Sequence, residues 1–359
     1  MVIKIALFNH KGGVSKTTTT FNLGWMLASK GKKVIIVDTD PQCNLTGLVL
    51  GYKSENEFET FYESGKDNLK VALSPAFDSK PYPIKAVDCI SVNNQPNLFL
   101  LPGHIGISEY EVTLGMAQQF SGSIPTLKNL PGSMSFLFNE TAKKYNADYM
   151  LIDMSPNLNS INQNLLMTSD YFIVPTTPDY FSVMALNSLA AILPRWHEWA
   201  IQAQQYKLFK DADYPFPTTI PKFLGVIIQR YRVLSGRPTK GFNEWIDEIN
   251  DTIENKLIPV LKERNMILPD SMYEKQVQKK LYKIQKPERK YVISIIPEFN
   301  TLITNSQKVR TPIFALTSEQ IGTTGPPLEK MLKKIDEFKK TFSNLSDKVE
   351  WMTTHAKCT

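Results

Sequence analysis

Residues 2–20 read VIKIALFNHKGGVSKTTTT. Val2, Ile3, Ile5, Ala6, Leu7 and Phe8 form a near-continuous apolar run, the pattern of a strand buried on both faces of a parallel sheet. Asn9 ends it. Gly12 and Gly13 let the backbone turn tightly and aim N–H groups inward, and a helix beginning near Lys16 adds the positive end of its dipole at the same point. Strand, glycine-rich turn and helix start in that order make a cradle for phosphate. In such a cradle Lys16 reaches the β- and γ-phosphates of a nucleotide and Thr17 holds a Mg²⁺ ion. Val14, Ser15 and Thr18 complete the segment, so Lys11 to Thr18 is the candidate nucleotide-binding stretch.

The generic phosphate-loop pattern is G-x-x-x-x-G-K-[ST], and His10 and Ser15 stand where its two outer glycines belong. Lys11 is an additional cation inside the loop. K-G-G-V-x-K-T-T with a lysine at that point resembles the deviant Walker A motif of the ParA/MinD family of ATPases. The resemblance implies an ATP-dependent homodimer in which Lys11 crosses the interface to the nucleotide of the second copy. Family members most often carry glycine where Ser15 stands, so Ser15 adds a Cβ where backbone and phosphate approach closely.

Outward from the loop, Phe21 to Lys30 reads as an amphipathic helix stopped by Gly31, and Lys33 to Val37 as a second buried strand. Strand, loop, helix and strand have the size of one βαβ unit. The second strand runs into Asp38-Thr39-Asp40-Pro41-Gln42, and carboxylates at that strand end face the same crevice as the loop. Asp148 to Asp153 is another apolar strand ending in a carboxylate, placed to meet Mg²⁺ or its water. D-x-D-P-Q and D-Y-x-L-I-D-x-x-P, through Pro156, resemble further family motifs. That likeness implies that Asp38 and Asp153 join Thr17 on the metal side, and that Asp40 orients the attacking water, acting with Lys11 and Lys16.

Strands are also expected at 98–101, 173–178, 224–229 and 292–297. By resemblance, the segment Asp179 to Leu186 lies near the dimer interface, Gln229 lies near the adenine, and Pro297 with Glu298 flank it. Residues 51–96, rich in proline, read as helix fragments and loops. Set against the family, the chain carries insertions at about 120–132, 195–222 and 235–290. The aromatic residues of 195–222 read as core packing. Leu328 to Val349 shows an apolar stripe at helical spacing, with lysines on the other face; a membrane-surface helix would look the same, but the preferred reading is a helix packed on the sheet. Residues 351–359 read as a frayed tail. The expected fold is a single α/β domain over 1–350, a mostly parallel twisted sheet with helices on both faces.

The chain has 359 residues, 42% of them hydrophobic, and a net charge of +6. No stretch of about 18 uncharged apolar residues exists, and Met1 leads directly into the first strand, so neither a membrane span nor a signal peptide is expected. The location expected is cytoplasmic, without a membrane partner, and the resemblance implies attachment to the nucleoid in the ATP form. A helix-turn-helix domain before the loop is likewise not expected. Cys43, Cys89 and Cys358 form no CxxC pair, which speaks against a disulfide framework or a metal cluster.

Residues 275–290 hold Lys275, Lys279, Lys280, Lys283, Lys286, Arg289 and Lys290 against one acid, Glu288. Such a run can contact nucleic-acid phosphates without reading sequence, though a solvated surface looks similar. Arg230 with Arg232, and Lys308 with Arg310, are further candidates. The resemblance favours DNA and implies an adaptor of ParB type. The expected activity is ATP hydrolysis to ADP and phosphate in the service of plasmid or chromosome partition. A MinD-like positioning role at a membrane, or a ParA-like role with a protein cargo or in defence, stands as the alternative.

Overall fold

A computed structural model of the chain describes residues 2–120, 123–234, 237–238, 240–277 and 289–356. Its strands are β1 (Ile3–Leu7), β2 (Val34–Asp38), β3 (Ile90–Ser91), β4 (Leu98–Leu101), β5 (Tyr149–Asp153), β6 (Tyr171–Thr176), β7 (Lys222–Tyr231), β8 (Val233–Leu234), β9 (Arg237–Pro238) and β10 (Val292–Pro297). Strands β8 and β9 form a separate ribbon, and the other eight make one sheet in the order β10-β7-β6-β1-β5-β2-β4-β3. Every neighbouring pair in that sheet is parallel except β3 on β4. Register puts Leu7 opposite Asp153, and Asp153 opposite Asp38, so the carboxyl ends of β1, β5 and β2 finish level.

Alternation along the strands sends side chains to two helical layers. Lys4 and Phe8 face one layer, where the Lys4 Nζ donates to Ser135 Oγ at 3.1 Å and the Phe8 ring lies 5.6 Å from Trp196. The helices there are Leu130–Tyr145 and Tyr180–Gln205. On the other face helix Lys16–Ser29 crosses β2, β4 and β5 so closely that a Cβ on Gly24 would lie 2.7 Å from Ile36 Cγ2. Only glycine permits that approach.

Helix Pro326–His355 packs on the same face, burying Phe338, Phe342, Leu345, Val349 and Met352. From Ile335 onward the stripe read at 328–349 is spent on the core, as expected of a helix lying on the sheet, whereas Leu332 in its first turns is exposed. The frayed tail expected from 351 onward is corrected for 351–356. The helix runs to His355, Thr353 is buried, and its Oγ1 lies 3.1 Å from Tyr149 Oη. Residues 357–359 lie outside the described residues.

Within 51–96 the fragments are helices Glu55–Glu63 and Leu69–Phe77. The first opens on a capping box, Ser54 with Glu57, a signal legible as S-x-x-E. Residues 195–205 are no separate elaboration, because they continue helix Tyr180–Gln205. The aromatic residues after it close the core, with Phe209 buried and Trp199 edge-on to Phe216 at 5.2 Å.

Lys348 donates to the Ile293 carbonyl at 2.8 Å, and burial pushes its ammonium down to about 8. Its folded value lies below the unfolded one, so the unfolded chain holds more protons between about pH 8 and the ordinary lysine value, and this residue's contribution to stability rises with pH across that window. Lys348→Met is expected to raise the melting midpoint at pH 7 by about 2 °C and to flatten the alkaline gain relative to the parent chain. A midpoint that falls at pH 7 would refute this account.

Candidate nucleotide-binding site

The turn after β1 is held from several directions. Asn9 is buried; its Nδ2 donates to the Pro175 carbonyl at 2.8 Å and its Oδ1 accepts from the Lys11 N–H at 2.9 Å. Gly13 and Ser15 both lie in the left-handed region, at φ 71° and 60°. For Ser15 that conformation costs roughly 1–2 kcal/mol, which glycine would not incur. Lys16 is buried, with its Nζ donating to the carbonyls of Asn9 at 2.8 Å and Lys11 at 3.3 Å. Burial lowers its affinity for the proton, opposed by the charges of Asp153 and Asp40. Val14 is buried, Gly12 and Gly13 are exposed, and Thr17 and Thr18 are half-buried on the first turn of helix Lys16–Ser29.

The three acidic residues meet at this crevice in different states. Asp153 is buried, and its Oδ2 has no hydrogen-bond partner. Burial and the nearby Asp38 push the carboxyl up to about 8, against the Thr17 hydroxyl and Lys16. A buried carboxyl with one bare oxygen beside a threonine hydroxyl suits a hard divalent cation. Asp38 departs from the expectation of a free metal-side carboxylate. Its Oδ2 accepts from both the N–H and the Oγ1 of Thr46 at 2.7 Å, and its Oδ1 accepts from the Asp40 N–H at 3.2 Å. Burial drives it up to about 7 in spite of those bonds. Asp38 therefore anchors the Asp40 loop to helix Asn44–Leu50. Asp40 uses Oδ1 on the Gln42 N–H at 3.0 Å.

Lys11 does not enter this cradle. Its Nζ donates to Thr177 Oγ1 at 2.6 Å, to Ser182 Oγ at 3.0 Å and to both oxygens of Asp179. Asp179 is also the N-cap of helix Tyr180–Gln205, accepting from the Ser182 N–H at 2.9 Å. Burial pushes the Asp179 carboxyl up, but the bonds from Lys11, Thr177 and Ser182 outweigh it and hold it below the usual range. Tyr180, Phe181 and Met184 follow on the first turns of that helix and are exposed, as is Leu158. The cap itself is legible in the sequence as Asp before an apolar helix start. Its pairing with a lysine 168 residues away is not.

Several expected contacts are corrected by the packing. Gln229 is buried beneath the loop, with Nε2 donating to the Val14 carbonyl at 3.1 Å and Thr19 Oγ1 at 2.8 Å, so it does not face a base. Arg230 donates to the Gly13 carbonyl at 2.8 Å. Arg310 donates to the Leu50 carbonyl at 3.0 Å, capping helix Asn44–Leu50, and Arg289 pairs with Asp247 at 2.7 Å. Arg289 is neutralised by its acid, whereas Arg230 and Arg310 keep their charge and spend a donor on a backbone carbonyl. Lys290 pairs with Asp270 at 3.3 Å and Glu274 at 3.2 Å.

Arg232 is exposed and pairs with Glu298 at 3.3 Å, and Lys308 lies at the surface beside a cleft shared with Gln42 and Phe58. Pro297 and Glu298 close the sheet beside β7, with the Glu298 N–H donating to the Tyr231 carbonyl at 3.0 Å. Lys279, Lys280, Lys283 and Lys286 lie outside the described residues, and Lys275 is placed on helix Asp270–Val277.

A parallel sheet whose central strand feeds a glycine-rich loop, with a buried lysine in the loop and carboxylates level with it on two neighbouring strands, defines a P-loop nucleoside triphosphatase. A family model described as an AAA domain matches residues 2–203, and the chain belongs to the ParA/MinD family of P-loop ATPases. It is 32% identical over 185 residues to the sporulation initiation inhibitor protein Soj of Bacillus subtilis, covering 52% of this chain and 62% of Soj. The chain spans between about two fifths and just under two thirds of the length of the curated relatives it matches. Among solved structures, apo McdA of Cyanothece aligns over 94% of this chain and 99% of its own at 20% identity, with a TM-score of 0.54. A ParA of pNOB8 bound to nonspecific DNA aligns over 99% of both chains at 18% identity, with a TM-score of 0.53. At those identities the two structures establish the fold.

Proposed function

We propose that this chain binds Mg·ATP, forms a dimer around two nucleotides, grips duplex DNA without reading its sequence, and uses slow hydrolysis to partition plasmid or chromosomal DNA. The observation that carries the reading is the division of labour between the two lysines of the loop. Lys16 is folded into its own cradle, whereas Lys11 is turned away from it and lies close to the exposed Tyr180, Phe181 and Met184. A loop lysine that does not serve its own site, beside an uncovered apolar surface, suits the nucleotide of a second copy.

In this reading Lys16, and Lys11 from the second copy, offset charge on the transferring phosphoryl group, while Asp40 places the attacking water. Thr17 and Asp153 would hold Mg²⁺, which supplies neutralisation of the phosphate oxygens when bound. The DNA contact falls to Lys275, the lysines that follow it, Lys308 and Arg232, whose pair with Glu298 is at the surface, since Arg289 and Lys290 are paired with acids and Arg230 and Arg310 are spent on backbone carbonyls. An adaptor of ParB type and a cytoplasmic, nucleoid-bound ATP form belong to the same proposal. The nonspecific DNA in the pNOB8 ParA structure is in keeping with it. A membrane-surface role draws little support from helix Pro326–His355, whose apolar face is buried from Ile335 onward.

Asp40→Ala tests the proposal. The variant is expected to keep its affinity for ATP and to lose turnover by about 10²–10⁴-fold. It should shift an arbitrary duplex in a native gel with Mg·ATP but not with Mg·ADP, and the binding should weaken steeply with salt. Normal hydrolysis by the variant would remove Asp40 from the chemistry. DNA binding indifferent to the nucleotide, or none at all, would remove the partition reading.

A further inference from the structure

We infer that the end of β7, Gln229 with Arg230, is a positioning clamp that holds the phosphate loop in its anion-binding shape. The inference rests on the nucleotide reading of the loop and adds two residues to it.

The geometry starts from the peptide unit. In a trans peptide the carbonyl of one residue and the N–H of the next point in opposite directions. Fixing a carbonyl outward therefore fixes the following N–H inward. Three consecutive carbonyls of the loop are held in this way. Arg230 Nη1 donates to the Gly13 carbonyl at 2.8 Å. Gln229 Nε2 donates to the Val14 carbonyl at 3.1 Å. The Ser15 carbonyl accepts from the Thr19 hydroxyl at 2.8 Å, and that hydroxyl in turn accepts from Gln229 Nε2 at 2.8 Å. The N–H groups set by these three carbonyls belong to Val14, Ser15 and Lys16. Among the described residues the Ser15 and Lys16 N–H groups meet no protein acceptor, while Val14 closes the turn over Gly12 and Gly13. Successive unpaired N–H groups turned to one side form a concave anion site.

Two features show that the clamp is built rather than incidental. Gln229 is 1% exposed, so its amide has no solvent to exchange with and its placement is set by the fold. Arg230 takes φ 59°, a left-handed conformation unfavourable to a side chain with a Cβ, at the point where its guanidinium reaches the loop. The loop it holds contains a second strained residue, Ser15 at φ 60°. A loop with that strain relaxes readily out of the binding shape, and outside bonds to its carbonyls oppose the relaxation. The spatial order β7-β6-β1 makes the contact possible, because it brings the end of β7 within side-chain reach of a loop about 215 residues earlier in the chain.

Arg230→Ala and Gln229→Glu test the clamp in the full chain. The first removes an exposed guanidinium, and the second replaces the donor amide by an acceptor of the same shape. Calorimetric titration should show ATP and inorganic tripolyphosphate binding each weakened about tenfold or more by either change. Equal losses for the two ligands would follow from a defect in the phosphate loop alone. Arg230→Lys should recover part of the loss, since an ammonium can still donate to the carbonyl. The nucleotide-free melting midpoint of Arg230→Ala should stay within about 2 °C of the parent, while the increment that ATP adds to it shrinks.

Unchanged affinity for both ligands in both variants would overturn the clamp. So would a variant Arg230→Ala that binds ATP normally but loses DNA, which would return Arg230 to a DNA surface. Failure of the parent chain itself to bind ATP or tripolyphosphate would overturn the nucleotide reading and the clamp together.

Discussion

Lys16→Ala is expected to weaken ATP binding by about a hundredfold or more, measured by calorimetry or by displacement of a fluorescent nucleotide. The side chain is buried in the loop, with Nζ between the carbonyls of Asn9 and Lys11 and facing Asp153 and Asp40. Hydrogen bonds from an ammonium to phosphate oxygens are charge-assisted, about 1.5–3 kcal/mol each. Removing two such bonds raises the dissociation constant by roughly a hundredfold or more. The substitution also strips the only loop cation that points into the cradle among the described residues, so nothing in the loop offsets the charge of the incoming phosphates. An unchanged dissociation constant in a folded variant would remove the phosphate-loop assignment, and with it the reading of Asp40 and Asp153.

The largest effect on stability is expected at Gly132. It lies at the start of helix Leu130–Tyr145, where a Cβ would fall 2.0 Å from the Tyr214 carbonyl oxygen and 2.6 Å from that of Pro215. Both are backbone atoms, so no rotamer change relieves the overlap. The opposing segment is also tied down. Tyr214 Oη accepts from the Ile84 N–H at 2.8 Å, its ring lies 4.8 Å from Phe136, and Asp213 exchanges two hydrogen bonds with Asn129. Gly132→Ala should cost about 3 kcal/mol or more and lower the melting midpoint by at least about 5 °C. Gly12→Ala is the control for stability without nucleotide, because a Cβ there meets nothing within 4 Å. A Gly132→Ala chain melting with the parent would show that the packing of that helix start is looser than the geometry indicates.

The central sheet was legible because its signals are local. Apolar runs, the glycine pair and carboxylates at strand ends recur within a few residues of one another, and the order of motifs places them on neighbouring strands. The helices within 51–96 were blurred by prolines, although Ser54 and Glu57 spelled out a capping box. The length of the last helix was missed because its closing turns, Met352 and Thr353, are held by contacts to the sheet and not by their own pattern.

Charged residues show the sharpest limit. A sequence displays Arg230, Arg289 and Arg310 as cations and is silent on whether each is free. Folding gives them the Gly13 carbonyl, Asp247 and the Leu50 carbonyl, partners up to 260 residues away. Asp38 illustrates the same point at short range, since Thr46 takes the oxygen that the motif offers to a metal.

The sequence by itself determined that this is a phosphate-loop protein with two loop lysines and level carboxylates, because strand and loop preferences depend on near neighbours. Only the tertiary structure decided which way each lysine turns and what steadies the loop. Those choices depend on strand order, which brings Asp179 and the end of β7 to a turn far away in the chain, and hydrogen-bond partners at such separations leave no mark in local pattern.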